Sequence, residues 1–205
     1  MIKMRTAFSA IALTLTMKGL LMSQAPTQGE RDRSMSYLHA TRKQFLDTVT
    51  PLSEAQWKFK PEGGGWSVAE VAEHLAVTEG KTLAGIEQAL KGPATPEKKS
   101  ETAGKEDTIM KNVPDRSRKV QAPEGVTPTG RWSTREATVA EFKHHRDKTI
   151  DFIEKSPADF HSHMFPHPFL KLLDCYQWTL MLAAHADRHV QQMKEVIASP
   201  AFPKR

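Results

Sequence analysis

Apolar residues recur every three or four positions through four separate stretches of the chain, which is the spacing of one face of an α-helix. The first stretch runs from Glu30 to Thr50 and is ended by Pro51. Its apolar positions are Met35, Leu38, Phe45 and Val49. A short helical turn capped by Ser53 follows, and it carries Trp57 and Phe59 as predicted core residues.

The second helix is predicted to begin at Ser67, because Ser67 and Glu70 have the spacing of a capping box. A second capping box, Ser133 with Glu136, predicts a third helix that continues to about Lys155. The fourth lies in the proline-free stretch 169–199, where Asp174 is a suitable internal N-cap. The apolar face of the second helix is formed by Val68, Val71, Leu75, Thr78, Thr82 and Ile86.

The second and third helices are separated by a long connection, residues 92–132, which is rich in Pro, Gly, Lys and Thr. At most one short helix is expected in it, near Asp107 to Asn112. Such a connection can carry the chain from one end of a bundle to the other, so the third helix can run parallel to the second. No alternating pattern predicts a strand. We therefore predict an all-α fold, a four-helix bundle with a long connection between helices 2 and 3.

The N-terminus has the pattern of an export signal, with Lys3 and Arg5 before an apolar run from Ala7 to Met17. Lys18 interrupts that run, which is well short of the ~20 residues that span a bilayer, so no stable membrane anchor is expected. We predict a signal peptide or N-terminal extension over residues 1–28 and a bundle domain over 29–205. Export to the periplasm or the extracellular space is favoured, with a cytoplasmic N-terminal helix as the alternative.

Composition narrows the functional classes further. The net charge is +5, but the 29 basic and 24 acidic residues are interleaved along the 205-residue chain. The densest basic run, Arg116, Arg118 and Lys119, has no interleaved aromatic residues, so no nucleic-acid binding is predicted. The single cysteine, Cys175, excludes an internal disulfide and is expected to be a small core residue.

Three histidines carry the candidate chemistry. His185 and His189 are four positions apart within the apolar stripe of the fourth helix, so both imidazoles lie on one helix face. His74 lies on or beside the apolar face of the second helix. Three neutral imidazoles can hold a divalent ion and leave at least one coordination position open, as in catalytic zinc sites. The alternative is that these are hydrogen-bonded core histidines.

Several residues near these motifs are candidates for supporting roles. Glu70, Asp187 and Gln192 are candidates to accept the second ring N–H of a ligand imidazole, although carboxylates are most often exposed. His163 and His167 repeat the spacing of four, but Pro166 and Pro168 place them in a predicted loop with His161. Trp66 and Trp178 line either a pocket near the metal or the core, and Ser67 is a helix cap rather than a nucleophile.

The segments GGGWSVAEVAEHL and WTLMLAAHADRHVQQMKEV, together with the LSEAQWKFKP stretch, resemble the DinB-like superfamily over roughly residues 30–198. The resemblance implies an up-down-down-up bundle in which His74, His185 and His189 bind a divalent metal ion such as zinc or nickel. Better understood branches resemble metal-dependent transferases or isomerases that use a low-molecular-weight thiol. DNA binding is not implied.

Two functions are therefore expected from the sequence. In the first, the chain is an enzyme, a transferase or hydrolase whose ion activates a thiol or water against a small electrophilic substrate. In the second, it holds a metal or small ligand without turnover. Homodimerisation is compatible with both. No general acid or base, and no organic cofactor site, is assigned from sequence.

Overall fold

Four long helices pack side by side in the computed structural model, which describes residues 25–204. They are α1 (Gln28–Val49), α3 (Val68–Lys91), α6 (Arg135–Lys155) and α7 (Cys175–Ile197). Shorter elements join them: α2 (Glu54–Lys58), α4 (Lys99–Thr102), α5 (Lys105–Asn112), and the strands β1 (Met164–His167) and β2 (Lys171–Asp174). The predicted four-helix bundle is confirmed.

Hydrogen bonds between helix ends fix the direction of each helix. Arg31, near the start of α1, donates to the carbonyl oxygens of Ile153 and Ser156 at the end of α6. Arg135, at the start of α6, donates to the Leu52 carbonyl just after α1, so these two helices are antiparallel. The hydroxyls of Ser34 and Thr179, early in α1 and α7, are 2.6 Å apart, which makes that pair parallel. The arrangement is up-down-down-up.

Local capping signals identified most helix starts correctly. The Ser67 and Glu70 capping box forms, and Ser53 and Asp174 cap α2 and α7 as predicted. The predicted box of Ser133 with Glu136 is wrong by one residue: Thr134 is the N-cap and accepts from the Ala137 N–H. Glu136 instead pairs with the neighbouring Arg135, so its carboxylate does not reach back to the cap.

The expectation that the chain has no strands is wrong for one short hairpin. β1 and β2 pair antiparallel with Phe165 opposite Leu173. The Phe165 ring stacks on Trp178 of α7 at 4.3 Å, with 3° between the ring planes. Because Gly85 of α3 has no Cβ, the same ring approaches α3 closely: a Cβ there would lie 3.1 Å from it. Strands of four residues are too short to show an alternating pattern in the sequence. The hairpin depends instead on its packing against α3 and α7.

The long connection contains more helix than predicted. One short helix was expected near residues 107–112; α5 occupies Lys105–Asn112, and α4 precedes it. Two 3-10 turns, Pro96–Lys98 and Glu124–Val126, complete the segment. No helix within residues 25–204 combines the length and apolarity needed to cross a membrane. Residues 1–24 of the predicted signal peptide lie outside the described part, and the peptide stays a prediction.

A buried ion pair ties three of the four helices together. The fully buried guanidinium of Arg146 in α6 donates to both carboxylate oxygens of Glu79 in α3, at 2.9 and 2.5 Å. It also donates to the Leu38 carbonyl and the Thr41 hydroxyl of α1, at 2.7 and 2.8 Å. A charge removed from water needs such complete partnering. The pair therefore fixes the position of α3 relative to α1 and α6.

We expect Glu79→Gln to lower the free energy of unfolding by about 3–5 kcal/mol, because it leaves the Arg146 charge buried without a counter-charge. Asp147→Asn is the matched control: it makes the same chemical change in an exposed pair with Arg42, where the loss should stay below about 1 kcal/mol. Urea unfolding measures both. Equal losses in the two variants would contradict the role of the buried pair.

Candidate metal centre

Two antiparallel helices bring the three predicted histidines together. His74 lies in the second turn of α3, and His185 and His189 lie on successive turns of α7. The Nε2 atom of His185 is 3.2 Å from Nε2 of His74 and 3.1 Å from Nε2 of His189. All three ligand nitrogens lie within 4.8 Å of one another, and the His74 side chain is only 3% exposed.

Two of the imidazoles are held in one tautomer by acceptors on their outer edge. The Nδ1 atom of His74 is 2.8 Å from the carbonyl oxygen of Val126, and Nδ1 of His189 is 2.8 Å from the amide oxygen of Gln192. Because these oxygens can only accept, each Nδ1 carries the proton and each Nε2 presents a free lone pair. Burial lowers the pKa of both imidazoles, so both are neutral.

The third imidazole, His185, faces both of these lone pairs. If His185 carries its proton on Nε2, it can donate that proton to the Nε2 atom of His74 or of His189, but not to both. If the proton is on Nδ1 instead, the Nε2 lone pairs of all three histidines point at one another. Its Nδ1 is buried and has no hydrogen-bond partner among residues 25–204. Burial and the neighbouring His189 and His74 hold the pKa of His185 well below its ordinary value. A single cation would satisfy all three nitrogens, so the donor set fits a metal ion.

The three possible ligands carry no net charge, which indicates the type of metal site. The cluster consists of histidines alone, with no Asp, Glu or Cys ligand drawn from the described residues. Three neutral ligands leave the +2 charge of an ion unneutralised, and a fourth tetrahedral position stays available. The geometry therefore matches open, catalytic sites better than closed structural ones.

A segment of the long connection, residues 113–131, crosses the helices beside the cluster and is called the strap below. Arg188 of α7 donates to the carbonyl oxygens of residues 113, 115 and 118. Lys81 of α3 donates to the Gly125 carbonyl at 2.5 Å. The buried carboxylate of Glu73 accepts from the backbone N–H groups of Thr129 and Gly130. These contacts position the Val126 carbonyl that orients His74.

Sequence reasoning found one of the two orienting groups. Gln192 accepts from His189 as proposed, but the carbonyl of Val126 was missed, because a backbone oxygen in a loop leaves no signal in the sequence. Glu70 is absent from the site and pairs with Lys60 beside its capping box. Asp187 accepts from the Tyr37 hydroxyl instead.

The remaining aromatic candidates divide between the site and the hairpin. Trp66 packs beside His74, with ring centroids 5.1 Å apart. Trp178 stacks on the hairpin rather than on the histidine cluster. The ring of His161 lies between the carboxylates of Glu30 and Asp174, and His163 contacts the Ala89 carbonyl, so these loop histidines form no metal cluster with His167.

Comparisons with known proteins show the family and the fold of this chain. YuaE, an uncharacterized protein of Bacillus subtilis strain 168, is 24% identical over 162 residues, which cover 79% of this chain and 96% of YuaE. The structure of YfiT from Bacillus subtilis superposes with a TM-score of 0.59 at 12% identity, covering 88% of this chain and 93% of YfiT. YfiT is described as a probable metal-dependent hydrolase with an unusual four-helix bundle topology. The family model of the DinB superfamily matches residues 37–193. The chain belongs to the DinB superfamily.

Proposed function

We propose that this chain binds one divalent metal ion, zinc or nickel, through Nε2 of His74, His185 and His189, and acts as a metal-dependent hydrolase or transferase. The observation that carries the proposal is the convergence of the three Nε2 atoms, with His74 and His189 anchored on their outer edges. The description of YfiT as a probable metal-dependent hydrolase supports the same class of reaction.

When bound, such an ion lowers the pKa of a coordinated water toward about 7 and deprotonates a coordinated thiol. The protein's part is to hold the ligands. The Val126 carbonyl and the Gln192 amide fix the two outer imidazoles, and ligands fixed in this way need little rearrangement when the ion binds. A small ester or another electrophile would then be attacked by water or by a low-molecular-weight thiol.

A second candidate function is metal or small-ligand binding without turnover. It is favoured by one observation: among the described residues, the cluster of possible ligand atoms contains the three histidines and no carboxylate. Export from the cytoplasm and homodimerisation are compatible with either candidate function. We retain export and homodimerisation as proposals.

Metal content tests the binding step directly. Protein stripped with a chelator and reloaded with Zn²⁺ or Ni²⁺ should hold one ion per chain by elemental analysis. His74→Ala and His189→Ala should each lose most of the bound ion, because only two of the three imidazole ligands remain. His163→Ala, which removes an imidazole bonded to the Ala89 carbonyl, is the control and should keep its ion. Full metal content in both ligand variants would contradict the site.

Activity separates the two candidate functions. We expect the reloaded protein to hydrolyse p-nitrophenyl acetate, or to transfer cysteine to 1-chloro-2,4-dinitrobenzene, at least tenfold faster than the metal-free protein. His74→Ala should abolish the gain, because the ion is lost. Stoichiometric metal with no gain across a broad panel of esters and thiol acceptors would favour the binding protein over the enzyme.

A further inference from the structure

The two outer imidazoles of the cluster are oriented by acceptors of different kinds. His74 donates to the backbone carbonyl of Val126, a group that has no donor to offer in its place. His189 instead faces the side-chain amide of Gln192, with Nδ1 at 2.8 Å from Oε1. An amide has an oxygen acceptor at one position and an NH2 donor at the other, and a half-turn exchanges the two. A further contact therefore has to decide which end of Gln192 faces the imidazole.

The reversed orientation of this amide would disable the ligand. With the NH2 group of Gln192 towards the ring, Nδ1 of His189 becomes the acceptor and the single proton lies on Nε2. That Nε2–H faces Nε2 of His185 at 3.1 Å and can be donated to it, so the reversed arrangement is hydrogen-bonded at both ring nitrogens. It also removes the lone pair that a metal ion needs. The orientation of one amide therefore decides whether His189 can bind a cation through Nε2.

Arg116 of the strap faces the same amide oxygen. Its Nη1 group lies 3.5 Å from Oε1 of Gln192, a long hydrogen bond that the charge of the guanidinium strengthens. A guanidinium has donors and no acceptor, so a reversed amide would place an NH2 group against another donor. Oε1 instead accepts from Arg116 and from His189 together. Arg116 therefore favours the orientation in which His189 keeps its proton on Nδ1.

The guanidinium of Arg116 is held in place from two directions. Glu195, three positions after Gln192 in α7, accepts from its Nε and Nη2 groups at 3.0 and 2.6 Å. These two bonds fix the plane of the guanidinium and leave Nη1 to face Gln192. On the strap, Arg188 donates to backbone carbonyl oxygens on both sides of residue 116. The Arg116 side chain is only 19% exposed, so water competes with these contacts only in part.

We propose that Arg116 is a positioning residue of the metal centre: it sets the orientation of the Gln192 amide, which sets the His189 tautomer that leaves Nε2 free. The placement of an ion on Nε2 rests on the proposed function, whereas the tautomer is a property of the protein before any ion binds. The strap then orients both outer ligands, His74 through a backbone carbonyl and His189 through Arg116 and Gln192. One member of the densest basic run in the sequence thereby gains a role.

Arg116→Met tests the proposal, because it keeps most of the side-chain volume and removes the donors. In metal-free protein with ¹⁵N-labelled histidine, wild-type His189 should be protonated on Nδ1, and the variant should carry the proton on Nε2 in a large part of the molecules. Zinc affinity, measured by competition with a chelator, should fall about tenfold, as for other groups that orient a metal ligand. Arg118→Met makes the same change at an exposed strap side chain and should alter neither quantity.

A second substitution separates this role from a merely structural one. Gln192→Glu replaces the amide by a carboxylate, which accepts at both oxygens and has no reversed form. In that background Arg116→Met should leave His189 protonated on Nδ1 and should not weaken zinc binding. An unchanged tautomer in the single variant Arg116→Met, or Nε2 protonation that persists in the double variant, would overturn the proposal. If the wild type binds no zinc, the proposed function fails, while the tautomers still decide the role of Arg116.

Discussion

The structure depends on one constraint: between two antiparallel helices, Nε2 of His185 lies 3.2 Å from Nε2 of His74 and 3.1 Å from Nε2 of His189. Neutral imidazoles in this arrangement cannot satisfy one another, because each has one proton and two outer protons are already donated to Val126 and Gln192. Protonation is opposed as well, since burial lowers the pKa of all three. A divalent cation would accept all three Nε2 lone pairs and would need no protonated imidazole. A metal site therefore explains the arrangement better than hydrogen-bonded core histidines do.

The rest of the fold keeps α3 and α7 in the register that this cluster requires. Arg146 joins α3 to α1 and α6 through a fully partnered buried charge. The strap is fastened to both cluster helices, by Lys81 and Glu73 on one side and by Arg188 on the other. The shared effect of these contacts is to hold the imidazoles before any ligand arrives.

Local features could be predicted from sequence and non-local ones could not. The helices, the Ser67 cap and the facing of His185 and His189 follow from spacings of three and four residues. The start of α6 was missed by one residue, because Thr134 and Ser133 are both good caps and the sequence does not decide between them. The hairpin, the Arg146 pair and the Val126 carbonyl were missed because each depends on contacts with elements distant in sequence. Convergence of His74 with the α7 pair was expected from the family resemblance rather than from spacing alone.

The most direct test of the central claim is anomalous diffraction from crystals of the zinc-loaded protein, measured on both sides of the zinc absorption edge. The account predicts one strong peak between α3 and α7, about 2.0–2.1 Å from Nε2 of each of His74, His185 and His189. A peak at the loop histidines instead, or a bundle in which these three nitrogens surround no ion, would contradict it.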